Sequence, residues 1–151
     1  MSDTLSLDAA RGLRVNGKSV KLRGACIHHD SGILGAATYE DAHRRQIKLL
    51  KEAGFNAIRM SHHPAAPALL RVCDELGMYV MDEFSDMWTR AKNDLDYALD
   101  FAKWWETDVA LMVKKDYNRP SVILYSAGNE IPEIGTDAGS ELCARIHHGE
   151  L

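Results

Sequence analysis

Four times along the chain a short, mostly apolar run precedes a longer stretch whose apolar residues recur at helical spacing, and this alternation limits the fold more than any other feature. Leu13 to Val15 and Ser19 to Leu22 flank Asn16-Gly17-Lys18, a hairpin signal, and the second arm can run on through Arg23-Gly24-Ala25-Cys26-Ile27 as a first strand. Thr38 offers an N-cap three residues before Asp41, with Ala42, Ile47, Leu50 and Ala53 on one helical face and Gly54 where a helix should stop. Ala57-Ile58-Arg59-Met60 reads as the second strand. Pro67 can open the next helix, with Leu69, Leu70, Val72, Cys73 and Leu76 apolar and Gly77 closing it. Met78-Tyr79-Val80-Met81 is the third strand. Asp94 can cap a long helix that carries Leu95, Ala98, Leu99, Ala102, Trp105, Val109, Met112 and Val113 to about Tyr117. Val122-Ile123-Leu124-Tyr125 is the fourth strand, and a last helix runs from Ala138 to His148.

Strands without strict alternation suit a parallel sheet covered on both faces. The pattern predicts four parallel strands at about residues 20–27, 56–61, 78–82 and 121–127. An open doubly wound sheet and a closed barrel share this order. The first strand-to-helix turn, His28-His29-Asp30-Ser31-Gly32, has neither GxGxxG nor a P-loop, which lowers the nucleotide-binding, open-sheet reading. Polar side chains instead gather just after every strand: His28 and Asp30, Arg59 and His62, Asp82 and Glu83, Asn129 and Glu130. In a parallel β/α protein these positions share the C-terminal face, where barrel enzymes place their chemistry. A whole barrel takes about 200–250 residues, so the expected fold is α/β, a partial (β/α)8 TIM barrel of about the first four units. Residues 1–12 are expected to be an N-terminal extension and 13–151 the half-barrel.

The bulk numbers exclude some partners. Of 151 residues, 46% are hydrophobic and 26% charged, and the net charge is -4. No block of like charge marks a nucleic-acid or anionic-membrane surface, and no apolar run approaches a membrane span. Met1 to Ala10 is polar and lacks a signal-peptide core, so the expectation is a cytoplasmic protein, or an exported one whose signal has been removed. Cys26, Cys73 and Cys143 form no CxxC and read as buried small hydrophobes in a reducing compartment.

Glu130 is the sharpest chemical signal. An apolar strand followed by Ser126-Ala127-Gly128-Asn129 can deliver a carboxyl to a strand end with small residues around it to admit a ligand. A carboxyl beside apolar walls keeps its proton near neutral pH, as protonation of a glycosidic oxygen requires. The competing reading is a helix-capping or salt-bridged glutamate. Asn118-Arg119-Pro120-Ser121-Val122-Ile123-Leu124-Tyr125-Ser126-Ala127-Gly128-Asn129-Glu130 resembles the acid/base signature of glycoside hydrolase family 2, the family of β-galactosidases, β-glucuronidases and β-mannosidases. Asn56-Ala57-Ile58-Arg59-Met60-Ser61-His62-His63-Pro64 is similar to that family's other signature. The likeness extends to Asn16-Gly17-Lys18, Arg23-Gly24, His28-His29-Asp30, Cys73-Asp74-Glu75-Leu76-Gly77 and Met81-Asp82-Glu83. Tyr125, Met60 and His63 depart from the family pattern, and none of these changes removes a reacting group.

The resemblance implies a retaining β-glycosidase, β-galactosidase-like, acting on carbohydrate. It makes Glu130 the acid/base, and Asn129 the residue bonded to the sugar hydroxyl beside the reacting carbon. Arg59 is the cation that keeps the nucleophilic carboxylate ionised, and His28 and His62 contact sugar hydroxyls. Trp88 reads equally as a sugar-stacking platform or as a packing residue. The family's nucleophile is a glutamate in the barrel's second half. Glu133, Glu141 and Glu150 follow no later strand and do not match it, so the chain is expected to lack the nucleophile and to be nearly inactive alone. Some members use magnesium near the acid/base; Asp82 to Trp88 do not match those ligands, and neither metal nor cofactor is expected. The pairs His28-His29, His62-His63 and His147-His148 fit no zinc motif. The alternative function is a non-catalytic half-barrel that binds or assembles, since open strand edges invite self-association.

Overall fold

The structure is a computed structural model that describes residues 4–149, so Glu150 and the first three residues of the N-terminal segment lie outside the described residues. The chain opens with β1 (Leu5–Asp8), β2 (Gly12–Val15) and β3 (Lys18–Ser19), a small antiparallel sheet in which β2 is central. β2 and β3 pair Val15 with Lys18, leaving Asn16-Gly17 as a two-residue turn. Both turn residues have positive φ, 52° and 76°, which is why Asn-Gly suits it. The second arm does not run on as predicted. β3 stops at Ser19, and the next strand, β4, begins at Gly24. The Asn56 side chain explains the break: its Nδ2 donates to the Lys21 carbonyl and its Oδ1 accepts from the Arg23 amide, which turns the chain out of the antiparallel sheet. β1, in the segment expected to be an extension, pairs along its whole length with β2.

The second sheet is β4 (Gly24–His28), β5 (Ala57–Ser61), β6 (Tyr79–Glu83) and β7 (Val122–Ser126), all parallel and in sequence order. The helices between and after them are α1 (Glu40–Glu52), α2 (Pro67–Leu76), α3 (Ala98–Asp116) and α4 (Asp137–Gly149). Four consecutive βα units with parallel neighbours make this a partial (β/α)8 barrel. Pro67 opens α2 and Gly77 closes it in the left-handed conformation, as the sequence predicts.

Two helix starts differ from expectation. Tyr39, not Thr38, precedes α1 and gives no side-chain cap. α3 begins at Ala98 rather than after Asp94, because Asp96 is the residue that organises the turn. Its carboxylate accepts from the backbone N–H groups of Lys92, Asn93 and Ala98. The buried stripe of α3 is therefore Phe101, Trp105, Val109 and Met112, while Leu95 and Leu99 face out at 90% and 66% exposure.

One core cluster, including Ile27, Ile47, Ile58, Met60, Leu70 and Val80, joins the sheet to α1 and α2. A second, with Phe84, Trp88, Phe101, Trp105, Ile131 and Ile146, lies under α3 and α4. Of the three thiols only Cys73 is buried, and burial pushes it up to about 12. Cys26 and Cys143 are exposed, against expectation. Cys26 lies on a groove of about 260 Å³ that is also lined by Leu22, Ala57, Met81 and Leu124. Among the described residues nothing covers this groove, and β4 and β7 are edge strands.

Candidate active site

The site is organised by Glu83, the last residue of β6, which is wholly buried. Arg59 of β5 donates Nε to Oε2 at 2.9 Å, and its Nη2 donates to Oε1 and Oε2 at 2.9 and 2.7 Å. Ser126 of β7 donates its hydroxyl to Oε2 at 2.7 Å. His62, just after β5, lies with Nδ1 2.7 Å from Oε1. A carboxylate can only accept, so Nδ1 is the donor in this bond and Nε2 is left to face a ligand. One buried carboxylate on β6 thus fixes groups from both neighbouring strands, β5 and β7. In return its hydrogen bonds raise Arg59 above the usual guanidinium range, against the smaller opposing effect of burial.

Asn129 follows β7 and is nearly buried. Its Oδ1 accepts from Arg59 Nη2 at 2.7 Å and its Nδ2 donates to Asp86 at 2.8 Å. A guanidinium on one side and a carboxylate on the other leave only one orientation for the amide, with one Nδ2 hydrogen uncommitted. Its main chain is held as well. The amide donates to the Ser85 carbonyl at 2.9 Å, and the carbonyl accepts from Lys92 Nζ at 2.9 Å. Lys92 also donates to Asp86 at 2.8 Å. Burial works to raise Asp86, but the bonds from Lys92 and Asn129 win and hold it below the usual carboxylate range.

Glu130 comes next, exposed, with φ at +43°. The apolar walls predicted around it are not supplied by these residues; Ile131 turns away into the core instead. His28, at the end of β4, meets His62 edge to face with ring centroids 5.0 Å apart. The structure therefore brings Arg59, His62, His28 and Asn129 together, with Glu130 beside Asn129. Trp88 does not join them. It is 2% exposed, and its Nε1 donates to the Ala127 carbonyl at 3.0 Å, the packing alternative.

The guanidinium of Arg59 holds Glu83 here, a partner the sequence reading gave no role. Asp86, Lys92 and Ser126 were also missed. The only signal for Asp86 is its place just past a strand end, and Lys92 has none, since it arrives through a long loop. Glu133 is a loop anchor: its Oε1 accepts from the amides of Thr89 and Arg90. A magnesium does not fit these residues. Glu83 and Asp86 are each committed to a cation, and among the described residues no three His, Cys, Asp or Glu side chains converge as metal ligands.

A strand-end carboxyl next to a fixed amide, with a buried carboxylate ordering a guanidinium and an imidazole beside them, can bind a polyhydroxylated ligand and exchange a proton with it. The sequence profile of the glycosyl hydrolases family 2, TIM barrel domain, matches residues 9–148. A β-galactosidase of Bacteroides ovatus is 47% identical over 138 residues, covering 91% of this chain and 16% of that protein. A β-galactosidase of Yersinia enterocolitica is 36% identical over 121 residues, covering 78% of this chain and 11% of its own length. Among solved structures, a family 2 member from Bacteroides cellulosilyticus superposes with a TM-score of 0.95 at 47% identity, over 98% of this chain and 19% of that one. The β-glucuronidase of Ruminococcus gnavus gives 0.84 at 28% identity, over 98% and 25%. The chain spans less than a fifth of the curated relatives it matches. It belongs to glycosyl hydrolase family 2, and its four βα units are part of that family's TIM barrel domain.

Proposed function

We propose that this chain supplies the acid/base half of a retaining, β-galactosidase-like active site, with residues 13–151 the first half of the barrel and 1–12 an extension before it. The observation that carries the reading is the locked Asn129 amide directly before Glu130. Asn129 keeps one N–H for the sugar hydroxyl beside the reacting carbon, a contact that strengthens in the transition state. Glu130 protonates the glycosidic oxygen as a second carboxylate attacks the anomeric carbon, then takes a proton from the water that releases the sugar. His28 and the free Nε2 of His62 contact further hydroxyls. The attacking carboxylate, about 5–5.5 Å from the acid in retaining enzymes, comes from a later strand outside this chain. That strand belongs to the half that covers the apolar groove and pairs with β4 and β7.

The open edges favour a second reading, a non-catalytic half-barrel that self-associates. A panel of β-linked nitrophenyl sugars separates the two. The chain alone is expected to be nearly inactive, because general acid catalysis supplies only about 10²–10⁴-fold. The full-length protein is expected to turn over the galactoside and to lose this on Glu130→Ala. Robust turnover by the chain alone contradicts the missing nucleophile, and a full-length protein inactive across the panel moves the weight to the assembly module. Sedimentation of the chain at tens of micromolar tests self-association; a well-folded monomer would count against it.

A further inference from the structure

The main chain at Glu130 is in the left-handed region, φ +43°, in a residue that is not glycine. For an L-residue this conformation is disfavoured by about 1–2 kcal/mol and persists only where the surroundings hold it. The peptide that leads into Glu130 is the Asn129 carbonyl, and that carbonyl accepts from Lys92 Nζ. Lys92 is in turn aimed by two bonds. Asp86 takes the same ammonium at 2.8 Å, and the Lys92 amide donates to Asp96 Oδ2 at 2.7 Å. The rest of this loop is tied down on both sides, by the Asn129 amide on the Ser85 carbonyl and by Thr89 and Arg90 on Glu133.

We infer that Lys92, aimed by Asp86, is a positioning residue for the acid/base: it fixes the peptide between Asn129 and Glu130 and so sets where the Glu130 carboxyl is presented. The inference rests on the acid/base role proposed for Glu130. Lys92 touches no reacting atom. Its ammonium replaces the water that would otherwise solvate the Asn129 carbonyl, and it keeps the peptide from rotating toward the ordinary φ region. Freed, that peptide lets the carboxyl wander by a fraction of an ångström or more, enough to weaken proton delivery without disturbing a sugar held by Asn129, His28 and His62.

The test is leaving-group dependence in the full-length protein whose barrel includes this chain. Glycosides with poor leaving groups need the proton and those with good ones barely do. Lys92→Met keeps the length and removes the ammonium. It should lower kcat/KM, which reports the glycosylation step alone, about 10- to 100-fold for a poor leaving group and change it little for dinitrophenolate; saturating turnover of the dinitrophenyl substrate, limited by the base step, should slow and be restored by azide. Lys92→Arg should recover part of the loss. Asp86→Asn, which keeps the side-chain shape, should show the same selectivity more weakly and serves if Lys92→Met does not fold. Glu130→Ala is run alongside. If Glu130→Ala is selective for poor leaving groups in kcat/KM while Lys92→Met and Asp86→Asn lose kcat/KM equally on all of them, the inference is overturned alone. If Glu130→Ala itself shows no selectivity, the proposed role of Glu130 fails and takes the inference with it.

Discussion

Replacing Glu83 with alanine tests whether the order of the site rests on one carboxylate. Glu83 is 0% exposed and accepts from Arg59, His62 and Ser126. Removing one partner of a buried ion pair costs about 3–5 kcal/mol, because the other charge is left uncompensated. Arg59 is 33% exposed, so water can take up part of its guanidinium. The expected loss is at the low end, about 3 kcal/mol. Glu83→Gln keeps the shape and one acceptor oxygen but turns an NH2 toward donors, for about 2 kcal/mol. The double variant Arg59→Met/Glu83→Leu leaves no unpaired charge and should cost less than Glu83→Ala alone, despite changing two residues. Urea unfolding of the chain, followed by tryptophan fluorescence and far-ultraviolet circular dichroism, gives these differences from the midpoints at constant slope. A Glu83→Ala variant within about 0.5 kcal/mol of the parent, or a double variant costing more than the single one, would refute the reasoning.

Asp82 gives a pH-dependent prediction. It is buried; its Oδ1 accepts from the Ala65 amide, while Oδ2 has no hydrogen-bond donor and stands 3.7 Å from Lys115 Nζ, beyond hydrogen-bond reach. Burial first, and the bond with Asp116 second, push Asp82 up to about 8, against about 3.9 unfolded. Between those values the folded chain holds a proton that the unfolded chain has lost. Its contribution to stability is therefore full below about pH 4 and is lost as pH rises toward 8. Asp82→Asn, a neutral mimic, should flatten this slope and be relatively more stable at high pH; urea midpoints at about pH 5, 7 and 9 check it, and an unchanged slope rejects it. Gly139→Ala drives a Cβ into the Glu133 carbonyl oxygen, so α4 must shift, at a cost of about 3 kcal/mol or more; a neutral effect on the urea midpoint would contradict this packing. Trp88→Phe removes the donor to Ala127 and should cost about 1–3 kcal/mol in stability with KM for glycosides unchanged in the full-length protein. A raised KM at unchanged stability would return Trp88 to a stacking role.

The four parallel strands were legible because each is short and apolar, and the strand-end polar residues marked the face on which the candidate site lies. Strand limits were off by a few residues. A change of sheet between Ser19 and Gly24 is made by the distant Asn56 side chain, which no local pattern reveals. The start of α3 was misplaced for a related reason: Asp94 and Asp96 are equal candidates by residue type, and only the loop's path makes Asp96 the acceptor. In the site, Asn129, Glu130, Arg59 and His62 could be read from motifs. The roles of Glu83 and Lys92 could not, since they follow from which side chains converge across β5, β6, β7 and a loop that spans residues 84–97.

If Glu130 serves as acid and then as base on one face of a β-glycoside, its removal must leave a glycosyl-enzyme that only an anion can release. The most direct measurement is the product formed by the full-length Glu130→Ala variant from a dinitrophenyl β-galactoside in the presence of azide. With the base removed, the glycosyl-enzyme accumulates, and azide, an anion that needs no deprotonation, should attack it and restore turnover. The expected product is a β-galactosyl azide, identified by proton NMR, with net retention. An α-configured azide, or hydrolysis that is neither slowed by the substitution nor diverted by azide, would contradict it.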